Sequence, residues 1–255
     1  MLKKRLIFAL LYDSGFFCLS RNFRLQKVGN LNWLKENYNF DYISKYIDEL
    51  IVLDVSKQKR DPTRFSLVLK ELTENIFVPI ASGGGVMSYE NAKLLLDSGA
   101  DKIILNTALF KNINLVKKLA SEFGQQAIIG SLDLKKSDDS YSIYISNGTE
   151  KILKDSKQIK DLLNECPLGE VIIHSIDKDG SGQGYDFDSI KILGKDFNLP
   201  IILSGGAGNS KHLIDGLLNN NVDAVSTSHL FNFVGDGLKQ AREKAVQSNI
   251  ELAFW

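Results

Sequence analysis

The chain has 255 residues, and its 31 lysine and arginine side chains are balanced by 31 aspartate and glutamate side chains. This balance argues against a broad nucleic-acid-binding surface. The two cysteines, Cys18 and Cys166, lack the spacing of a metal site and fit a reduced cytoplasm. No apolar run reaches the roughly 18 residues of a membrane span, and no signal peptide is evident. We expect a cytoplasmic protein, and no motif indicates a metal or a cofactor.

Short apolar runs alternate with amphipathic stretches along the whole chain. The predicted strands span residues 5–11, 50–55, 78–82, 102–106, 127–133, 170–176, 200–204 and 223–227. The predicted helices span residues 31–47, 61–75, 88–98, 111–123, 152–165, 187–197, 209–220 and 235–248. Eight strand–helix units with strands apolar on both faces predict a parallel (β/α)8 TIM barrel, for which about 250 residues is typical. A doubly wound open sheet is the alternative.

Two glycine-rich turns lie half a chain apart, at residues 82–85 and 204–208. Each follows an apolar run led by a proline, and each precedes a helix opened by Ser88 or Asn209. A shift of 122 residues superimposes the turns and brings Asp101 onto Asp223. This duplication favours barrel closure and predicts one domain over residues 1–255, built from half-barrels of residues 1–122 and 123–255.

These turns suit phosphate groups, because glycine lets the backbone approach a ligand closely and helix starts offer free N–H groups. Two turns in register predict a ligand with two anionic ends. In a barrel of this class the chemistry lies at the carboxyl ends of the strands, where both turns fall. Only the polar residues at those ends are therefore candidates for function.

Four segments, at residues 48–54, 99–108, 175–180 and 204–208, resemble the cyclase (synthase) subunit of imidazole glycerol phosphate synthase, and the resemblance extends over essentially the whole chain. It implies a barrel of the lyase or cyclase type that receives ammonia from a partner glutaminase and acts on a small substrate carrying two phosphates. One phosphate would be bound by Gly84, Gly85, Asn106 and Thr107. The other would be bound by Asp179, Gly180, Gly205, Gly206, Ser226 and Ser228.

The sequence departs from this family at the expected acid/base pair. The family has aspartates at the ends of the first and fifth strands, and this chain has Leu11 and Asp133 there; the internal repeat also pairs these two positions. Asp13 is a candidate substitute, although a plain loop aspartate is the favoured interpretation. His174 and His229 replace small hydroxyl residues at the ends of strands six and eight. The candidate catalytic residues are Asp133, Asp13 and His174, and Leu19 replaces an expected loop lysine.

The other end of the barrel keeps the family pattern. Arg5, Glu49, Lys102 and Glu170 each stand immediately before or at the start of a strand. They match the ring of alternating charges that gates the ammonia passage in the family. Without the resemblance, four solvated charges at strand starts would be the simpler interpretation.

A retained gate beside an altered catalytic centre favours a variant branch of the family. Members of that branch accompany a second glutaminase and a sugar amidotransferase, and form acetamidino groups on sugars of bacterial surface polysaccharide such as lipopolysaccharide O-antigen. The standard cyclase subunit of histidine biosynthesis is one alternative. A non-catalytic barrel that passes ammonia to a third protein is another.

Overall fold

The computed structural model describes residues 3–253 with the exception of residues 59, 75, 139, 195 and 234. Its strands are β1 Arg5–Asp13, β2 Phe16–Arg21, β3 Arg24–Gly29, β4 Glu49–Asp54, β5 Ile80–Gly83, β6 Lys102–Leu105, β7 Ile128–Ser137, β8 Ser140–Ile145, β9 Glu150–Ile152, β10 Glu170–Ser175, β11 Ile201–Ser204 and β12 Ala224–Thr227. Its helices are α1 Leu31–Asn37, α2 Phe40–Ile43, α3 Pro62–Thr73, α4 Tyr89–Asp97, α5 Thr107–Lys111, α6 Ile113–Phe123, α7 Ser156–Glu165, α8 Ser210–Leu218 and α9 Gly237–Gln247, with 3-10 turns at Gln125–Ala127, Phe187–Leu193 and Phe231–Phe233.

Eight of these strands close into a parallel barrel in the order β1, β4, β5, β6, β7, β10, β11 and β12. The pairing of β7 with β10 and of β12 with β1 completes the ring. The predicted (β/α)8 barrel is therefore confirmed, and the open sheet is excluded. Because β1 and β7 are four strands apart in this ring of eight, they lie on opposite sides of the barrel.

Helix starts follow the expected capping chemistry. The side chains of Ser88 and Asn209 accept hydrogen bonds from the backbone N–H groups of Asn91 and His212, at the starts of α4 and α8. Two helix predictions were wrong in detail. The predicted helix at 31–47 divides into α1 and α2, because Asn39 caps a new helix there. The predicted helix at 187–197 is the short 3-10 turn that ends before Gly194.

Two antiparallel extensions were not predicted from the sequence. The hairpin of β2 and β3 continues from β1, and β8 with β9 continues from β7. Both rise from the carboxyl end of the barrel, in equivalent positions of the two predicted half-barrels. The equivalence extends to Asp101 and Asp223, which accept hydrogen bonds from the backbone of Ile80 and Ile201. These correspondences support a duplicated origin, which stays a prediction.

The apolar core has two parts. The larger part fills the layer between the barrel and its helices, and the smaller part fills the barrel itself. The inner part consists of Ile7, Ala9, Ile51, Ala81, Ile104, Ile129, Ile172, Ile202 and Ala224. It separates a polar cavity at the carboxyl end from a charged ring at the amino end. Within the described ranges, every helix is too short or too polar to cross a lipid bilayer.

Candidate active site

A cavity of about 550 Å³ opens at the carboxyl end of the barrel. It lies between the strand ends and the loops that follow β4, β5 and β8. A second pocket, of about 20 Å³, adjoins it beneath the β2–β3 hairpin. The predicted site residues that line the larger cavity are Gly84, Gly85, Asn106, Thr107, Asp133, His174, Asp179, Ser226 and Ser228. Those that line the smaller pocket are Asp179, Gly180, Gly205, Gly206, Ser226 and Ser228.

The first glycine turn is shaped by close backbone contacts. Gly84 has a φ of +106°, and a Cβ there would overlap the carbonyl oxygen of Asp54. The side chain of Arg60 lies against Gly85, with its Cδ 2.6 Å from where a Cβ would stand. Nη2 of Arg60 donates to Oδ1 of Asn147 at 3.0 Å, so this guanidinium lies beside the turn. A cation and free backbone N–H groups are what an anion would need here.

Asn106 and Thr107 connect this turn to the β8–β9 extension. Nδ2 of Asn106 donates to the carbonyl oxygen of Ser131 at 3.0 Å, and its Oδ1 accepts from Oγ1 of Thr107 at 3.5 Å. The backbone N–H of Ser146 donates to Oγ1 of Thr107 at 3.2 Å. The cavity is also lined by Arg60, Lys57 and Asn147, which were not predicted from the sequence. Their one sequence signal was their position in polar loops, far apart in the chain.

The β2–β3 hairpin covers the second glycine turn. Oδ2 of Asp179 accepts from Oγ of Ser20 at 2.5 Å and from the backbone N–H of Phe23 at 3.0 Å. Nδ2 of Asn22 donates to the carbonyl oxygen of Ile176 at 3.0 Å. A Cβ on Gly180 would overlap the backbone of Ser20, so glycine permits this close approach. Asp179 thus anchors the hairpin as well as lining both pockets.

Asp133, the candidate acid/base residue on β7, lies at the cavity. Asp133 lines the cavity, and burial raises the pKa of its carboxyl group to about 6, although nearby His174 lowers it. On the opposite side of the barrel, Leu11 lines the same cavity and presents only carbon. The structure does not bring Asp13 there. β1 turns into the hairpin at that point, and the Asp13 carboxylate accepts a hydrogen bond from Ser14 at 2.9 Å.

His174 lies beside Asp133, in register on the neighbouring strand β10. Its Nδ1 is 2.9 Å from Oγ of Ser204, and its ring centroid is 5.3 Å from that of Phe23. Its Nε2 is buried and makes no hydrogen bond within the described chain; Oδ1 of Asp179 is 3.8 Å away. By contrast, His229 lines the smaller pocket, where burial lowers the pKa of its ring.

The four predicted gate residues form a closed square of ion pairs at the amino end of the barrel. Arg5 contacts Glu49 at 2.8 Å and also contacts Glu170. Lys102 contacts Glu49 at 3.0 Å and Glu170 at 2.6 Å. Burial raises the pKa of Glu49. Burial acts in the same direction on Glu170, but Arg5 and Lys102 together lower the pKa of that carboxyl group.

Fold and cavity define the class: a (β/α)8-barrel protein whose polar site lies at the carboxyl ends of its strands. Residues 36–234 match the model of the histidine biosynthesis protein family. Over 256 residues the chain is 47% identical to a Parasynechococcus marenigrum protein named, provisionally, imidazole glycerol phosphate synthase subunit hisF2, covering all of this chain and 95% of that protein. It is 32% identical over 245 residues to the imidazole glycerol phosphate synthase subunit HisF of Chlorobium limicola, covering 95% of this chain and 96% of that protein. The chain belongs to the HisF family.

Proposed function

We propose that this chain is the synthase subunit of a glutamine amidotransferase complex, and that it uses ammonia from a partner glutaminase at the cavity on a phosphorylated or sugar substrate. Within that role we favour the formation of acetamidino groups on sugars of surface polysaccharide. The observation that carries the proposal is an intact charged ring combined with Leu11 at the acid/base position. The name hisF2 of one relative is in keeping with a second copy of the subunit.

The ring supports ammonia entry at the amino end of the barrel. Each carboxylate contacts two cations, so two positive and two negative charges balance at the mouth of an apolar interior. Beyond the ring lies the inner apolar core, and beyond that lies the cavity. Crossing such a layer costs neutral ammonia little free energy, whereas ammonium would have to lose its hydration shell.

An exposed aromatic side chain at the same end supports the docking of a partner. Phe77 precedes β5, so it lies at the amino end of the barrel, and it is 82% exposed. Aromatic residues, phenylalanine included, are enriched in protein–protein interfaces relative to the rest of the surface. A glutaminase docked there would release ammonia next to the ring.

The cavity supports a small-molecule substrate with at least one phosphate. Its volume of about 550 Å³ is typical of ligand sites. Arg60, Gly85 and the start of α5 surround one end of it. The second turn lines the smaller pocket, which adjoins this cavity beneath the β2–β3 hairpin. The bisphosphate of the histidine pathway and a phosphorylated or nucleotide-linked sugar both fit this description.

The acid/base position separates the candidate functions. Losing one general acid or base costs about 10²–10⁴ in rate, so Leu11 argues against efficient standard cyclisation. The standard histidine-pathway reaction is therefore the second candidate, favoured by the family match over residues 36–234. A non-catalytic channel is the third, and Asp133 in the cavity argues against it.

The test is to reconstitute the chain with a glutaminase subunit and a sugar amidotransferase and to supply glutamine labelled with ¹⁵N in its amide. We expect the label in an amidino sugar and little conversion of the histidine-pathway intermediate. Near-normal conversion of that intermediate would establish the standard enzyme instead. Amidination that survives Asp133→Asn unchanged would support the channel. Failure of any glutaminase to bind would end all three accounts.

A further inference from the structure

His174 has a geometry that phosphate binding and ammonia entry leave unexplained. Nδ1 is fixed by Ser204 at 2.9 Å, so the ring is held in one orientation. His174 lines the cavity, and its Nε2 is buried and lacks a hydrogen-bond partner within the described chain. A buried ring nitrogen without a hydrogen bond costs about 1–3 kcal/mol, which a ligand group bonded to Nε2 would recover.

The surroundings of His174 combine acids with an aromatic cover. Asp133 faces it from β7, and Asp179 faces it from the loop after β10, with Oδ1 3.8 Å from Nε2. β11 contributes the hydroxyl of Ser204, and the β2–β3 turn contributes the ring of Phe23. The second oxygen of Asp179 is already bonded to the hairpin, so this carboxylate is fixed in place. Asp133 is bonded by the side chain of Ser131 instead, so it is the carboxylate of the two that is not held by the hairpin.

We propose that His174, through Nε2, forms the proton-transfer pair of this cavity together with Asp133, in place of a pair placed across the barrel. The proposal rests on the ammonia chemistry proposed above. When ammonia adds to a carbonyl carbon, the nitrogen forms the new bond and loses a proton, while the carbonyl oxygen gains one. Asp133 accepts the proton from nitrogen, and the His174 imidazolium donates one to oxygen. Transfer from Asp133 back to His174 then restores both groups.

This arrangement has a spatial consequence. β7 and β10 are adjacent, so both groups approach the substrate from one side. The facing wall is formed by Leu11 and Leu53, which can only pack. The reacting carbon must therefore lie at the β7–β10 edge, within reach of Asp133 and Nε2. An acid and a base on opposite faces of the substrate are not required.

The decisive experiment is the titration of the Asp133 carboxyl group by ¹³C NMR in the full chain, assigned by its loss in Asp133→Asn. Because the charge of His174 lowers the pKa of Asp133, His174→Gln should raise it by about half a unit to one unit. His212→Gln, a substitution on α8 that does not line either pocket, should leave it in place. An unchanged Asp133 titration in folded His174→Gln overturns the proposal.

Turnover supplies the second readout, with ammonium chloride and the histidine-pathway intermediate as the probe. The residual rate of the parent chain should fall about 10²-fold in His174→Gln and remain within twofold in His212→Gln. Ser204→Ala keeps the imidazole but frees Nδ1, and should cause a smaller loss. An equal rate in parent and His174→Gln overturns the proposal. If neither chain converts the substrate, the proposed reaction is wrong for this substrate. The titration of the Asp133 carboxyl group then still decides whether His174 and Asp133 form a pair.

Discussion

At the scale of single residues, Leu11 stands where the family resemblance predicts one of two acid/base aspartates. The side chain lines the cavity on the wall opposite Asp133, so an aspartate there would face the same ligand. Leu11→Asp should raise ammonium-dependent turnover of the histidine-pathway intermediate at least tenfold, because it restores a general acid/base group. The measurement is the initial rate with ammonium chloride in excess.

Leu53→Asp is the matched control. Leu53 lines the same cavity from β4 and stands in register with Leu11. The Leu53→Asp variant adds the same charge to the same cavity, but on the neighbouring strand. It should therefore bring no gain in turnover rate. Equal rates for the two aspartate variants would show that the pocket rejects this substrate for a reason other than the missing acid.

The raised pKa of Asp133 predicts a dependence of stability on pH. The pKa moves from 3.8 to about 6 on folding, so the folded chain binds this proton more tightly than the unfolded chain. The stability contributed by this group is full below about pH 4 and is lost as the pH rises through 6. Asp133→Asn escapes this loss. Relative to the parent, its free energy of unfolding should therefore rise between pH 4 and pH 7.

The pKa shift of about two units limits this rise in the free energy of unfolding to about 3 kcal/mol. Solvent screening in the cavity makes the rise smaller. Urea unfolding at pH 4, 5, 6 and 7 measures it. Asp196→Asn, which changes a side chain 88% exposed, should show a difference that does not vary with pH in this way. A flat difference for Asp133→Asn as well would contradict the raised pKa.

At the scale of elements, the charged ring joins the starts of β1, β4, β6 and β10. Lys102→Met should destabilise the chain by about 3 kcal/mol, because Glu49 is 2% exposed and loses a partner there. It should also raise the glutamine consumed per product formed in the complex with a glutaminase. Calorimetry and a stoichiometric assay measure the two effects.

Lys93→Met provides the comparison for the ring. Lys93 pairs with Asp97 four residues on, and both side chains are more than half exposed. Such pairs contribute about 0–1 kcal/mol, so this variant should unfold and couple like the parent. If Lys102→Met behaves in the same way, the ring has no role in stability or in ammonia transfer.

The individual strands show how far the sequence predicts the structure. Barrel strands were predictable because apolar runs of five to seven residues alternate with longer amphipathic stretches and are bounded by turn signals. The four strands of the two extensions were not predicted: β3 is mostly exposed and has little apolar pattern, and the apolar run that opens β2 is too short to tell a strand from a helix. Residues 146–149 form the turn between β8 and β9, and the alternation of buried Ile143 and Ile145 was the signal for β8.

At the scale of the whole molecule, barrel topology made the candidate site predictable. Polar residues at the carboxyl ends of parallel strands meet at one end of a barrel, which is why Asn106, Asp133 and His174 line one cavity. Loop residues do not follow this rule. Arg60, Asn147 and Phe23 reach the cavity through loop conformations and long-range contacts, and the linear sequence does not show which loops meet there.

In the proposed complex, the amino end of the barrel docks the glutaminase and the carboxyl end holds the substrate. Phe77 lies at the amino end and is 82% exposed, so Phe77→Ser should leave folding unchanged. It should weaken glutaminase binding tenfold or more, or by at least about 1.4 kcal/mol, if this ring is buried in the interface.

Leu153→Ser is the control. It alters a side chain that is 88% exposed and lies beyond β9, at the opposite end of the barrel, so this variant should bind the glutaminase as the parent does. Titration calorimetry with the purified glutaminase compares all three chains. Equal affinities would move the docking site away from Phe77, and weaker binding by Leu153→Ser alone would place the partner over the cavity, where ammonia would not need to cross the barrel.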